Sequence, residues 1–158
     1  MTEEQQFTTL LNSELTCLQD LLDTLNQEYE ALASADIDSL ENATQQKNNS
    51  LAKQAEATIA RQNFVTTIVG DSSEEIRLQQ FITKYQGHDN LSSTLNQLHS
   101  LAEQCQTMNR TNGRLISQKQ KQTRNALDIL RQADSKPSTY SDQGGTVSSA
   151  ENRILGKA

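Results

Sequence analysis

The sequence predicts an all-α chain: an antiparallel bundle of three long helices, coiled-coil-like, with a short connecting helix and a flexible C-terminal tail. Three observations carry that expectation. Hydrophobic residues make up 34 % and aromatics 4 % of 158 residues, with no Trp, too little material to fill a thick mixed α/β core. Leu is abundant, whereas Val occurs only at 65, 69 and 147 and the single proline is Pro137, a balance that suits helix and starves sheet. Leu11, Leu15, Leu18, Leu22, Leu25, Tyr29 and Leu32 recur at alternating steps of four and three, the spacing of one helical stripe with a coiled-coil-like seam.

That stripe defines the first helix, thirty-odd residues ending near Ala33 and about 50 Å long at ~1.5 Å per residue. Asp36 offers a side-chain oxygen suited to cap the next helix, and so short a connection implies an antiparallel hairpin. The second helix is expected over 37–69, with Leu40, Leu51, Ala55, Ile59, Val65 and Val69 inward. Thr44 and Lys47 interrupt its stripe. Lys47 reads most simply as a side chain snorkelling outward along its methylenes, and alternatively as a polar position that fixes register or binds something. Gly70 to Ser73 breaks the helix, and Ser72 with Glu75 has capping-box spacing for a restart.

A short third helix follows over 73–86, carrying Ile76, Phe81, Ile82 and Tyr85, and Gly87 to Asn90 ends it. The fourth helix is predicted from 91 to about 133, with Leu91, Leu95, Leu98, Ala102, Cys105, Ile116, Ala126 and Leu130 on its stripe. At roughly 65 Å it is longer than its partners. Its last turns are therefore expected to overhang, leaving an apolar strip that includes Leu127 and Leu130. Asn109 and Asn112 take the seam positions between Cys105 and Ile116, and Gly113 costs about 1 kcal/mol relative to Ala inside a helix. They read as an alignment-specifying Asn layer with a glycine admitting a close backbone, or as a polar notch for a partner.

From Asp134 onward the composition shifts to Pro137, Ser, Thr and Gly144-Gly145. Such a segment buries too little apolar surface to offset its ordering entropy. Its end, Val147, Ala150, Ile154 and Leu155, nonetheless has helical spacing, and about twelve residues that are marginal as a free helix could fold on a partner. The chain thus divides, by sequence, into a helical bundle at 1–133 and a tail at 134–158.

Charge narrows the function classes. Residues 1 to 70 hold 11 acids and 3 bases, residues 71 to 133 hold 6 acids and 8 bases, and the whole carries −6. An acidic total argues against nucleic acid or an anionic membrane as principal partner. The bases Arg110, Arg114, Lys119, Lys121, Arg124 and Arg131 read as a solvated face, or one turned toward the acidic first half. Cys17 and Cys105 form no CxxC pair and no disulfide framework. No leader pattern and no long apolar run is present, so a soluble cytoplasmic protein without membrane insertion is expected.

Catalytic patterns are missing as well: the sequence has no phosphate-binding glycine loop, HExxH or GxSxG. His88 and His99 lack a second ligand at helical spacing, and the loop-like start Asp36-Ile37-Asp38 fails at Glu41 and Lys47, where a calcium loop needs Gly and Glu. No metal, no cofactor and no enzymatic activity are expected. Cys105 reads as a small apolar filler.

Assembled, these elements include an Asp36, Leu40, Lys47, Leu51 run, a Cys105, Asn109, Asn112, Gly113, Leu115, Ile116 run, and a tail with Tyr140 and Gly144 that closes in Arg153-Ile154-Leu155-Gly156-Lys157-Ala158. Together they resemble the FlgN family of flagellar export chaperones. The resemblance implies a non-enzymatic chaperone that holds the hook-filament junction proteins FlgK and FlgL before their export through the flagellar type III apparatus. It also implies a C-terminal client-binding region, here the end of the fourth helix and the tail, with Leu127, Leu130, Tyr140, Val147, Ile154 and Leu155 as candidate contacts. The alternative is a structural coiled-coil adaptor with a dispensable tail. Self-association is compatible with either reading.

Overall fold

The computed structural model describes residues 2–70, 73–84 and 89–134, and all four of its elements are helices: α1 (Glu3–Ser34), α2 (Ile37–Val69), α3 (Glu74–Lys84) and α4 (Asp89–Asp134). The chain divides into two units, Met1–Gln118 and Lys119–Ala158. Among the described residues no helix is long and apolar enough to cross a membrane.

Local chemistry sets the helix ends. Thr2 and Gln5 form a reciprocal capping box, which satisfies two of the donors that a helix start leaves free. Ala35 closes α1 in the left-handed region, at φ 57°, and its N–H bonds back to Ala31. Asp36 then caps α2 as expected, its Oδ1 accepting from the Ser39 N–H at 3.1 Å. The Ser39 hydroxyl donates to its Oδ2 at 2.6 Å, and this bond, with the Ser39 N–H, holds the Asp36 carboxyl below its ordinary range. With Ala35 and Asp36 the only residues between them, α2 must turn straight back along α1.

Within the first unit, side-chain partners fix the directions. Glu14 meets Arg61 and Thr58, Thr24 meets Ser50, and Glu28 meets Lys47, so α2 runs antiparallel to α1. Cys105 lies against Leu18 and Asn112 against Leu25 and Glu28, so α4 runs in the direction of α1. All four helices contribute to one apolar cluster, Phe7, Leu11, Val65, Phe81 and Leu91, in which the Phe7 and Phe81 rings sit 4.4 Å apart. A second cluster joins Leu18, Leu21 and Leu25 of α1 to Cys105 of α4.

The seam of α1 differs from the leucine stripe. Phe7, Leu11, Glu14, Leu18, Leu21, Leu25, Glu28 and Leu32 are buried, while Leu15 and Leu22 are partly exposed and Tyr29 is exposed. Leu22 and Tyr29 border instead a groove of about 680 Å³ shared with Thr107, Met108 and Thr111 of α4. Two carboxylates thus take heptad positions that leucine reasoning left to water.

The correction on α2 follows from the same fact. Leu51, Ala55 and Ile59, expected inward, are exposed, and the inward face carries Lys47, Ser50, Gln54, Thr58 and Arg61. Leaving a buried carboxylate without a partner costs about 3–5 kcal/mol, whereas burying one Leu or Ile side chain contributes about 1.5–3 kcal/mol. Partnering Glu14 and Glu28 therefore decides the rotation of α2, and the aliphatic stripe turns out. On α3, Phe81 is buried as expected, Ile82 is partly buried and Ile76 is exposed; Tyr85 and the Ser72 cap lie outside the described residues.

Candidate binding surface and polar layers

Lys47, Glu28 and Asn112 come from three helices and meet in one layer. Lys47 Nζ lies 2.5 Å from Glu28 Oε1, and Asn112 Nδ2 donates to Glu28 Oε2 at 2.8 Å and to the Leu25 carbonyl at 2.9 Å. Both neighbours of that nitrogen are acceptors only, which fixes the orientation of the amide. Glu28 and Asn112 are each 1 % exposed. Lys47 therefore does not snorkel outward; it turns in to pair with a buried anion, the register-fixing alternative. A second layer joins Glu14 to Arg61 and Thr58. Such pairs contribute little net stability compared with apolar side chains, yet any helix slip breaks them at large cost, so they specify alignment.

The Asn109, Asn112, Gly113 run separates under this geometry. On α4, Leu91, Leu98, Cys105 and Asn112 are spaced by sevens and face α1, which leaves Asn109 exposed, so only Asn112 forms the expected layer. Gly113 does not admit a neighbouring backbone, since an added Cβ would meet nothing within 4 Å. Gly113→Ala is accordingly expected to raise the unfolding free energy by about 1 kcal/mol in urea titration; a decrease would show that the helix needs glycine there. Cys105 is buried, its Sγ 3.5 Å from the Leu18 carbonyl, and burial pushes its thiol up. It fills the core as a small apolar group, and Cys17 and Cys105 are both free.

In the second unit, α4 presents an uncovered apolar arc. Leu127, Ile129 and Leu130 are 47 %, 67 % and 61 % exposed. At 3.6 residues per turn they share an arc with Ala126 and Ala133, while Lys121, Arg124, Asp128 and Arg131 lie on the opposite one. Ala126 and Leu130, placed by spacing on the apolar stripe of the fourth helix, are exposed, Leu130 in keeping with its place on the strip expected to stay free at the overhang. The structure thus places two predicted contacts, Leu127 and Leu130, side by side and adds Ile129, whose position one residue off the seam hid it. Tyr140, Val147, Ile154 and Leu155 lie outside the described residues.

The buried acids of α1 find their partners within the first unit. Arg110, Arg114, Lys121, Arg124 and Arg131 are exposed, and Glu14 and Glu28 are answered by Arg61 and Lys47 of α2. His99 is exposed beside Glu103, at 3.4 Å, and His88 lies outside the described residues.

A family model described as FlgN protein matches residues 1–148 of the chain. The chain belongs to the FlgN family. Its membership makes it a flagellar export chaperone, and the match spans α1 to α4 and the segment with Tyr140 and Val147. Residues 153–158, quoted above among the tail features, lie past the matched span. No curated protein and no solved structure gives a significant match.

Proposed function

We propose that this FlgN-family chain is a cytoplasmic, non-catalytic holder of the hook-filament junction proteins FlgK and FlgL, which it keeps from premature assembly and passes to the flagellar export apparatus. In this reading α1, α2 and α4 form the antiparallel bundle, residues 1–133 serve as a helical body whose last turns share in the client contact, and residues 134–158 form the client-binding tail. The observation that carries it is the exposed arc of Leu127, Ile129 and Leu130, an apolar helix face followed in the sequence by a tail with apolar spacing of its own at Val147, Ile154 and Leu155. An amphipathic client segment laid on that face would bury both apolar surfaces, and ordering the tail would hold the affinity to a moderate value that an export component can reverse.

The arc is tested by the double variant L127D/L130D against C-terminal fragments of FlgK and FlgL in isothermal titration. Each aspartate would carry a charge into the contact, so a loss of at least about tenfold in affinity is expected with an unchanged thermal melt. Unchanged affinity would remove the arc from the client site.

A further inference from the structure

Resting on the client reading above, we propose that the segment held by the arc of Leu127, Ile129 and Leu130 is acidic: an amphipathic helix whose apolar stripe is bordered on one side by carboxylates at seven-residue spacing. The two margins of the arc differ in charge. At 3.6 residues per turn, Leu127 closes one margin, with Arg124 three positions before it and Arg131 four after it; Ile129 closes the other, with Asn125 four before it and Gln132 three after it. All four of these polar residues are exposed. One margin is thus basic and the other is a neutral carboxamide border. Asp128 lies beyond the arginines on the polar arc, and among the described residues no ion pair joins it to either of them.

Charge along the wider chain points the same way. Met1–Gln118 hold 16 acids and 7 bases, whereas Lys119–Ala158 hold 4 acids and 7 bases. The unit that carries the arc attracts an acidic segment and the first unit repels it, so charge directs such a segment to the arc.

The unequal margins select a helix over other anions. A membrane surface or a nucleic acid is met by bases on both sides of a helix face or across it. Here one margin offers neither of them a charge, whereas a docked helix needs only one charged border. Arg124 and Arg131 stand seven residues, about 10 Å, apart. Carboxylates on either flank of the side chain that packs on Leu127 meet both, and a guanidinium can hold a carboxylate through two parallel hydrogen bonds. The apolar arc supplies the burial, and the two arginines decide which amphipathic helix is accepted.

Fluorescence anisotropy of labelled FlgK and FlgL C-terminal fragments with the full-length chain, at about 50 and about 500 mM salt, tests this. R124Q/R131Q is expected to bind at least about fivefold more weakly at the lower salt, the scale of two exposed pairs, and to come within about twofold of wild type at the higher, where the pairs are screened. N125E/Q132E changes the net charge by the same amount on the other margin and is expected to stay within about twofold of wild type. Thermal melts monitor folding. Wild-type affinity that does not fall with salt, R124Q/R131Q that binds as wild type at low salt, or N125E/Q132E weakened as much as R124Q/R131Q would each overturn the inference. If L127D/L130D loses binding while R124Q/R131Q keeps it, this inference falls and the client reading stands; if L127D/L130D also binds as wild type, both fall. Phosphatidylserine vesicles that displace the fragments from the chain would overturn it too, by giving the arc to a membrane.

Discussion

Glu28→Ala is expected to lower the unfolding free energy by about 3–5 kcal/mol, because the substitution leaves Lys47 charged and Asn112 short of an acceptor in a layer already withdrawn from water. Against the roughly 5–15 kcal/mol that holds a typical domain folded, this is a large fraction. A double-mutant cycle with Lys47→Ala should return a coupling energy of at least about 1 kcal/mol, since the two groups touch. Replacing the whole layer, as in E28L/K47M/N112L, is expected to be neutral or stabilising, because it removes three desolvation costs together. A loss below about 1 kcal/mol for Glu28→Ala in urea denaturation would show that water enters the layer and that the pair contributes as little as a surface pair does.

Phe81→Ala is expected to cost a similar amount, about 3–5 kcal/mol, by a different mechanism. Phe81 is wholly buried and is the buried residue that α3 contributes to the apolar cluster, its ring tilted against Phe7 at 4.4 Å and edge-on to Phe64 at 6.3 Å. Truncation removes the contacts of one aromatic ring and leaves a hole that Leu11, Val65 and Leu91 line. The exposed pair of Lys84 with Glu3, at 3.0 Å, holds α3 far less firmly, since both side chains remain half in solvent. Hydrogen exchange should show α3 losing protection more than the middle of α1 does. Equal loss everywhere would mean that α3 unfolds only with the whole unit.

The helices themselves were largely legible in the sequence. The expected second helix, 37–69, matches its observed bounds, and Asp36 caps it as its position suggested. Periodicity finds helices well because burial of one face is what makes them form. What periodicity of apolar residues misread was rotation. It assigned Leu15, Leu22 and Tyr29 to the seam of α1 and Leu51, Ala55 and Ile59 to that of α2, because it counts every carboxylate and amine as solvent-facing.

A signal for the correct rotation was nonetheless present. Glu14 and Glu28 are separated by fourteen residues, two heptads, and Lys47 and Arg61 by the same fourteen on the returning helix. In an antiparallel hairpin, equal spacing of opposite charges lets both pairs close in one register. That pattern outranks the aliphatic stripe once the cost of an unpaired buried carboxylate is weighed.

The candidate site was legible in part. Leu127 and Leu130 were found by extending the stripe beyond the length that the partner helices could cover, and both are exposed. Ile129 escaped because a seam-based reading keeps only positions three and four apart, whereas an unpartnered helix presents a wider arc. Of the Asn109, Asn112, Gly113 run, spacing alone could not tell which asparagine faces inward. The sevenfold step from Leu91 through Leu98 and Cys105 selects Asn112 once the direction of α4 along α1 is fixed.

The central claim is that the helical body carries the fold while the C-terminal region grips the client. It is tested most directly by titrating FlgK and FlgL C-terminal fragments against the full-length chain and against a version ending at Asp134. The account predicts that the shortened chain melts as the full-length one does and binds at least about tenfold more weakly; equal affinities for the two chains would contradict it.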